Sequence, residues 1–289
     1  MRVGVVDIGT NSMRLLVTDG HQELGRWVEV TGLGRGVDAT GELAADGVER
    51  TIGVFARFGE IMDHHEVGRR AAIATSATRD AANREVFLEK ATAALGVRPD
   101  VITGSREGRL AYSGATDGLD GGPFVVSDIG GGSSEFVTSD QSVSVDLGSV
   151  RLSDRILSDR PPPASQMDDA QAHVGDLFST IEMRGDLIGV AGTWTSLGAI
   201  DLEPDVYDRS LVHHHRMTRD GLSAVIRSLA TMTVEETASI PSLDPARAPV
   251  ILAGAVVAAG VMDVVDADTV LISEHDTLDG LAAELLAVT

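Results

Sequence analysis

At 289 residues, 43% of them hydrophobic, the chain exceeds the length at which one core stops growing, so two packed domains are expected and a disordered or fibrous protein is excluded. The absence of cysteine excludes disulfides, thiolate catalysis and Cys-ligated metal centres, leaving oxygen or imidazole as the only ligands for a metal. A formal net charge of -21 sets the long-range field against nucleic acid and anionic membrane, so neither is expected as a partner, and an anionic substrate needs local compensation.

Arginine supplies nearly all the positive charge, because Lys90 is the single lysine, and its planar fork suits bidentate phosphate contacts. Genomic base composition is the main cause expected for that usage. No apolar stretch is long enough to span a bilayer, and the opening MRVGVVDIGTNS has no basic region, apolar core or cleavage site, so a cytoplasmic protein is expected.

In chain order, strand-length apolar runs occupy Val3–Val6, Ala71–Ala74, Phe124–Val126, Leu187–Ala191 and Val270–Ile272. Between them, Val48, Ile52, Phe55, Phe58 and Ile61 recur at helical steps and predict an amphipathic helix over 44–64; 85–95 and 219–232 read the same way. The nearly all-apolar segment 248–265 predicts a buried helix in which Gly254 and Gly260 permit close packing. Strands alternating with helices argue for an α/β fold. DGLDGGP at 117–123 would break both helix and strand, which places a domain boundary between residues 122 and 123; the three prolines within 159–164 predict a surface loop.

An internal repeat dominates this pattern: VGVVDIGTNSMRLLV from Val3 aligns with FVVSDIGGGSSEFVT from Phe124 at a constant offset of 121 residues. Each copy delivers an aspartate from an apolar strand, turns through glycine and hydroxyl residues, and returns on a second alternating strand. This is a hairpin. Dinucleotide and Walker loops instead place their glycines before a helix. Glycine turns expose successive N–H groups to a phosphate oxygen, and adjacent side chains add donors. The candidates are Gly9, Thr10, Asn11 and Ser12 in the first copy and Gly130, Gly131, Gly132, Ser133 and Ser134 in the second. Asp7 and Asp128, ending their strands beside the turns, could hold hydrated Mg²⁺ or another divalent cation against the phosphates.

These residues, with GLGRGVDATGEL, ATSATRDAANR, VITGSREGRLAY, VDLGSVRL, VAGTWTSLGAI and SEHDTLDG in that order, resemble the exopolyphosphatase and guanosine pentaphosphate phosphohydrolase (Ppx/GppA) family of the actin, sugar kinase and Hsp70 superfamily. The resemblance spans almost the whole chain. It implies two ribonuclease-H-like domains (1–122 and 123–289) with an interdomain active-site cleft and metal-assisted hydrolysis of a terminal phosphoanhydride.

It also implies a catalytic glutamate, which falls on Glu107 in Gly104–Gly108; a carboxylate there can orient a water and accept its proton. Arg106 and Gly108 depart from the commoner Glu and Ala, removing a negative charge beside Glu107. Glu135, just past the second turn, is a secondary catalytic candidate with Asp128. Arg79 and Arg35 are implied near the phosphates, with pairing to Asp80 or Asp38 as the structural alternative. Gly148 and Ser149 match a third phosphate-contacting stretch. Gly192 and Thr193 match the turn where superfamily relatives meet nucleotide, kept here for turn geometry. Three consecutive histidines, His213–His215, point to alternating faces on a strand and are not expected to converge on a metal.

The reading is a hydrolase that releases orthophosphate from inorganic polyphosphate. Guanosine pentaphosphate (pppGpp) is the alternative substrate, and an actin-like ATPase or a non-catalytic sensor of phosphorylated nucleotides is the alternative of another class. Because the chain ends after its second lobe, short polyphosphates are expected as preferred substrates. A homodimer is admitted alongside a monomer.

Overall fold

The computed structural model describes residues 1–287. In chain order the elements of the first half are β1 (Val3–Ile8), β2 (Ser12–Thr18), β3 (Glu23–Val30), α1 (Val37–Thr40), α2 (Ala45–His64), β4 (Arg69–Ala74), α3 (Ser76–Asp80), α4 (Arg84–Leu95), β5 (Asp100–Val101) and α5 (Gly104–Thr116). The second half continues with β6 (Phe124–Ile129), β7 (Ser134–Val137), β8 (Ser142–Val145), α6 (Ser149–Arg155), α7 (Ala164–Phe178), β9 (Asp186–Val190), α8 (Ala191–Leu202), α9 (Arg209–Val212), β10 (Arg216–Thr218), α10 (Arg219–Leu229), α11 (Val234–Ala238), α12 (Ile251–Val265), β11 (Thr269–Ile272) and α13 (Thr277–Ala287).

The repeat in the sequence is a repeat in topology. The first sheet runs β3-β2-β1-β4-β5 and the second β10-β11-β9-β6-β7-β8. In each, a three-stranded antiparallel meander is followed by parallel strands on the far side of its first strand: β4 beside β1, and β9 then β11 beside β6. This is the ribonuclease-H-like order that the resemblance implies; β10 is an additional antiparallel edge strand in the second sheet.

β1 is apolar without alternation because both of its faces are covered, the usual condition of a parallel-sheet strand. Val6 and Ile8 join Phe55, Phe58 and Phe87 of α2 and α4 in one core, whereas Val3 and Val5 face Leu110 of α5 and Leu278 and Leu281 of α13 in another.

This second core corrects the expected domain limits. The chain divides into residues 1–114 together with the stretch from Thr277, and residues 115–276. The sequence boundary at residue 122 marks the turn chemistry of the linker but assigns α13 to the wrong lobe. α13 covers the open face of the first sheet, and Gly280 lies so close to α5 that a Cβ there would sit 2.1 Å from the Leu110 carbonyl oxygen.

In the second unit α12 is buried along almost its whole length. Its glycines give the close packing expected of them: a Cβ on Gly254 would lie 2.6 Å from Thr193 Cγ2, and one on Gly260 would lie 2.3 Å from Val174 Cγ1. The helix starts at Ile251 rather than Ala248, because a 3-10 turn over Pro245–Arg247 precedes it; α10 stops at Leu229, three residues earlier than its periodicity suggests.

Candidate functional site

Within each unit the loops with chemical potential emerge at the C-terminal ends of the parallel strands, where α/β sheets commonly bind ligands. In the first, the N–H of Thr75 donates to the Ile8 carbonyl (3.1 Å) and that of Ile102 to Ala74 (3.0 Å), so the segments after β1, β4 and β5 lie side by side.

The β1–β2 turn is closed by the Gly9 N–H donating to the Ser12 carbonyl at 3.1 Å. A bracing segment after β3 takes the turn's remaining carbonyls: Gly34 donates to Thr10 (2.8 Å), and Thr31 and Gly32 both donate to Asn11 (3.0 Å each). With the carbonyls turned toward that segment, the N–H groups of Thr10 and Asn11 have no acceptor among the described residues. The buried Asn11 Oδ1 accepts from no donor among the described residues, and the Thr10 hydroxyl shares a buried 2.8 Å hydrogen bond with Ser76. Adjacent N–H groups without acceptors, with adjustable polar groups at the rim, are a geometry that suits an anion.

The β6–β7 turn repeats this construction 121 positions later: Gly130 N–H to the Ser133 carbonyl at 3.0 Å, with bracing now supplied by the start of α6. Ser149 donates to Gly130 (3.0 Å), and Val150 (2.8 Å) and Arg151 (3.1 Å) donate to Gly131. The N–H groups of Gly131, Gly132 and Ser133 find no acceptor among the described residues.

Gly148 and Ser149 therefore sit against the turn as its support: the Ser149 N–H and hydroxyl both point to the Gly130 carbonyl, the latter at 3.3 Å. Ser134 is fully buried and donates to the Leu147 carbonyl at 2.5 Å, an internal role, whereas Ser133 keeps its hydroxyl clear of protein partners among the described residues.

The two aspartates stand in different surroundings. Asp7, 3% exposed, is opposite Arg14 across the hairpin; its Oδ2 accepts from Arg14 Nε at 3.0 Å and from Nη2 as well. Asp128, 4% exposed, is opposite Glu135, which is fully buried and accepts from the Ser144 hydroxyl at 2.7 Å. Cross-strand partners share a sheet face. Two buried carboxylates on one face fit a divalent cation, which takes oxygen ligands; a carboxylate in a two-point arginine grip fits one poorly. Glu135 thus lies on the Asp128 face, where an alternating strand left its direction open in the sequence.

Glu107 lies in the first turn of α5, whose start is capped by the Thr103 hydroxyl accepting from the Arg106 N–H at 3.2 Å. It is 8% exposed, and Arg79 Nη1 reaches to 4.0 Å from its Oε2 while donating to the Ile102 carbonyl at 3.1 Å. Arg79 lies 3.9 Å from Asp80 as well, so the phosphate and pairing alternatives for this residue meet in one place.

The expected influence of Arg106 on its neighbour is redirected by α13: both its terminal nitrogens bind the Glu284 carboxylate, one of them at 2.7 Å. Both partners are over 40% exposed, with side-chain exposures of 42% and 45%. Arg106→Ala should therefore cost no more than ~1 kcal/mol, seen as a fall in Tm of a few degrees at most.

Other candidates disperse. Arg35 is exposed and carries no ion pair among the described residues, and Asp38 is not its partner. The β9–α8 turn places Ala191 at φ 65, and Arg247 occupies the side of Gly192, within 2.0 Å of where a Cβ would be. The three histidines are not on a strand: they follow α9 in a turn, His214 at φ 67. His213 Nδ1 accepts from the Glu274 N–H at 3.1 Å, and His215 Nε2 meets Asp201 Oδ2 at 2.8 Å, so each is tied to a separate structural partner. Arg14, Gly34 and Ser76 were missed as candidates; only the first had a readable signal, since the repeat aligns it with Glu135.

No helix among the described residues is long and apolar enough to cross a membrane. The profile of the Ppx/GppA phosphatase family matches residues 16–287. Exopolyphosphatase 2 of Mycobacterium tuberculosis is 35% identical over 313 aligned positions that cover 98% of both chains. The crystal structure of an exopolyphosphatase-like protein superposes with a TM-score of 0.92 at 32% identity, covering 99% of this chain and 98% of the other. A Ppx/GppA family member from Aquifex aeolicus gives 0.83 at 30% identity, with the same coverage. The chain belongs to the Ppx/GppA phosphatase family.

Proposed function

We propose that this protein is a cytoplasmic exopolyphosphatase that releases terminal orthophosphate from inorganic polyphosphate. The observation that carries the reading is the matched pair of hairpin cradles, each with outward N–H groups, in a chain that aligns end to end with a relative named exopolyphosphatase.

A water held by Glu107 attacks the terminal phosphorus, and its proton passes to the Glu107 carboxylate. The bridging P–O bond breaks, its electron pair leaving on the shortened polyphosphate, and orthophosphate departs. Each turn, in its own unit, offers its N–H groups to phosphate oxygens: Thr10 and Asn11 in the first, Gly131, Gly132 and Ser133 in the second, with the Thr10 and Ser133 hydroxyls beside them. Arg79, 4.0 Å from Glu107, meets the charge on the transferred group and keeps the base close to it. Asp128 and Glu135 would hold a divalent cation, which supplies charge stabilisation on phosphate oxygens when bound.

Guanosine pentaphosphate remains the second substrate to test, because the sequence resembles a family of exopolyphosphatases and guanosine pentaphosphate phosphohydrolases. Purified protein offered polyphosphates of several lengths, guanosine pentaphosphate and ATP with Mg²⁺ should release phosphate from polyphosphate fastest. Preferential release from guanosine pentaphosphate would move the assignment to the nucleotide, and turnover of ATP alone would replace it with an ATPase.

A further inference from the structure

The two turns differ in how one equivalent carbonyl is held. At the offset of 121 residues Thr10 corresponds to Gly131 and Asn11 to Gly132. The Thr10 and Gly131 carbonyls both accept from main-chain N–H groups, that of Gly34 in the first copy and those of Val150 and Arg151 in the second. The Asn11 carbonyl likewise has two main-chain donors, Thr31 and Gly32. Its counterpart on Gly132 has a side chain instead: Arg151 Nε donates to it at 2.9 Å, and no other donor among the described residues does.

In a trans peptide the carbonyl and the following N–H share a plane and point in opposite directions. Each carbonyl drawn toward α6 therefore sends one N–H the other way: Gly130 directs Gly131, Gly131 directs Gly132, and Gly132 directs Ser133. Main-chain donors at the start of α6 hold the first two planes. The third follows Gly132, and a glycine, lacking Cβ, lets the plane beside it rotate at little steric cost. Arg151 is placed to stop that rotation, because it is half-buried and its own N–H is tied to the Gly131 carbonyl at 3.1 Å.

We propose that Arg151 is a positioning residue: through the Gly132 carbonyl it fixes the direction of the Ser133 N–H, and it does so by its Nε donor rather than by its charge. The proposal rests on the phosphohydrolase reading for the identity of the anion that this N–H meets. The direction of the N–H itself does not depend on that reading.

Three substitutions in the full chain separate the donor from the charge. Arg151→Gln places an amide nitrogen as many bonds from Cα as Nε and carries no charge. Arg151→Met keeps the length without a donor, and Arg151→Lys keeps the charge with its nitrogen one bond further out. All three give up the terminal nitrogens, so binding is measured well below the Tm of each variant. Affinity for inorganic tripolyphosphate in the presence of a chelator should fall about tenfold in Arg151→Met, the loss of one hydrogen bond to a charged group, and stay within about threefold of the wild type in Arg151→Gln. Arg151→Lys should bind more weakly than Arg151→Gln.

The heteronuclear ¹H–¹⁵N Overhauser effect of the Ser133 amide gives a second reading, without ligand. It should match that of the β7 amides in the wild type and in Arg151→Gln and drop in Arg151→Met. An Arg151→Gln protein as weak as Arg151→Met, with Arg151→Lys the tighter, would make the role one of charge and overturn the proposal. An Arg151→Met protein with wild-type affinity and an equally ordered Ser133 amide would overturn it too. Failure of the wild type to bind tripolyphosphate would count against the hydrolase reading, while the Ser133 amide still decides what Arg151 does.

Discussion

Glu107→Gln is expected to lower phosphate release by ~10²–10⁴-fold, the range that a positioned general base contributes. The side chain is 8% exposed and set in the first turn of α5 by the Thr103 cap, so its carboxylate is held rather than free to wander. Glutamine matches its volume and can still meet Arg79, which limits the expected stability change to under ~1 kcal/mol. Tripolyphosphate should bind the variant about as tightly as the wild type, because the cradles are built from backbone N–H groups elsewhere. Initial rates, thermal melting and equilibrium binding on the same preparation separate these effects. A variant retaining more than a tenth of the wild-type rate at unchanged substrate affinity would remove Glu107 from the chemistry.

The second large effect is expected at a residue packed behind the second turn. Gly148 is extended, at φ -148 and ψ 177, a conformation open to any residue, so the obstacle to a side chain there is space alone. A Cβ would lie 2.5 Å from the Gly131 carbonyl carbon, 2.6 Å from its oxygen and 2.7 Å from the Gly130 oxygen. These are backbone atoms and cannot rotate away. Relieving the contact means separating the start of α6 from the turn, which weakens the hydrogen bonds from Ser149, Val150 and Arg151 that hold the turn's carbonyls back.

Gly148→Ala should therefore cost ~1–3 kcal/mol of stability, the usual range for overpacking. KM for polyphosphate should rise at least ~10-fold as the N–H groups lose their common aim. Gly175→Ala is the control: Gly175 is within α7 with nothing near its Cβ position, and alanine there should be neutral or stabilising by ~0.5–1 kcal/mol. An active, fully stable Gly148→Ala would show that the bracing is dispensable.

Much of this was legible in the residues. β1, β4, β6, β9 and β11 coincide with the apolar runs, and α2 and α4 with the periodic segments, because a strand or helix buried on a wide face must advertise it in composition. β3 and β8 went unread: their residues are largely half-exposed, and edge strands of a meander need little apolar signal. α13 was read into the second lobe, since sequence order says nothing of which sheet face a terminal helix will cover.

The same division runs through the site. By itself the sequence determined the duplicated hairpin, the two aspartates, the turns between their strands and the position of Glu107, because each depends on local pattern or on a motif of fixed spacing. Only the tertiary structure decided what those groups face. It put Arg79 beside Glu107, turned Arg106 toward α13, set Ser149 behind its turn, and brought the segments after β3 and β8 against the cradles. Such contacts join residues far apart in the chain, and their energies depend on distance and burial, which emerge only when the sheets are closed.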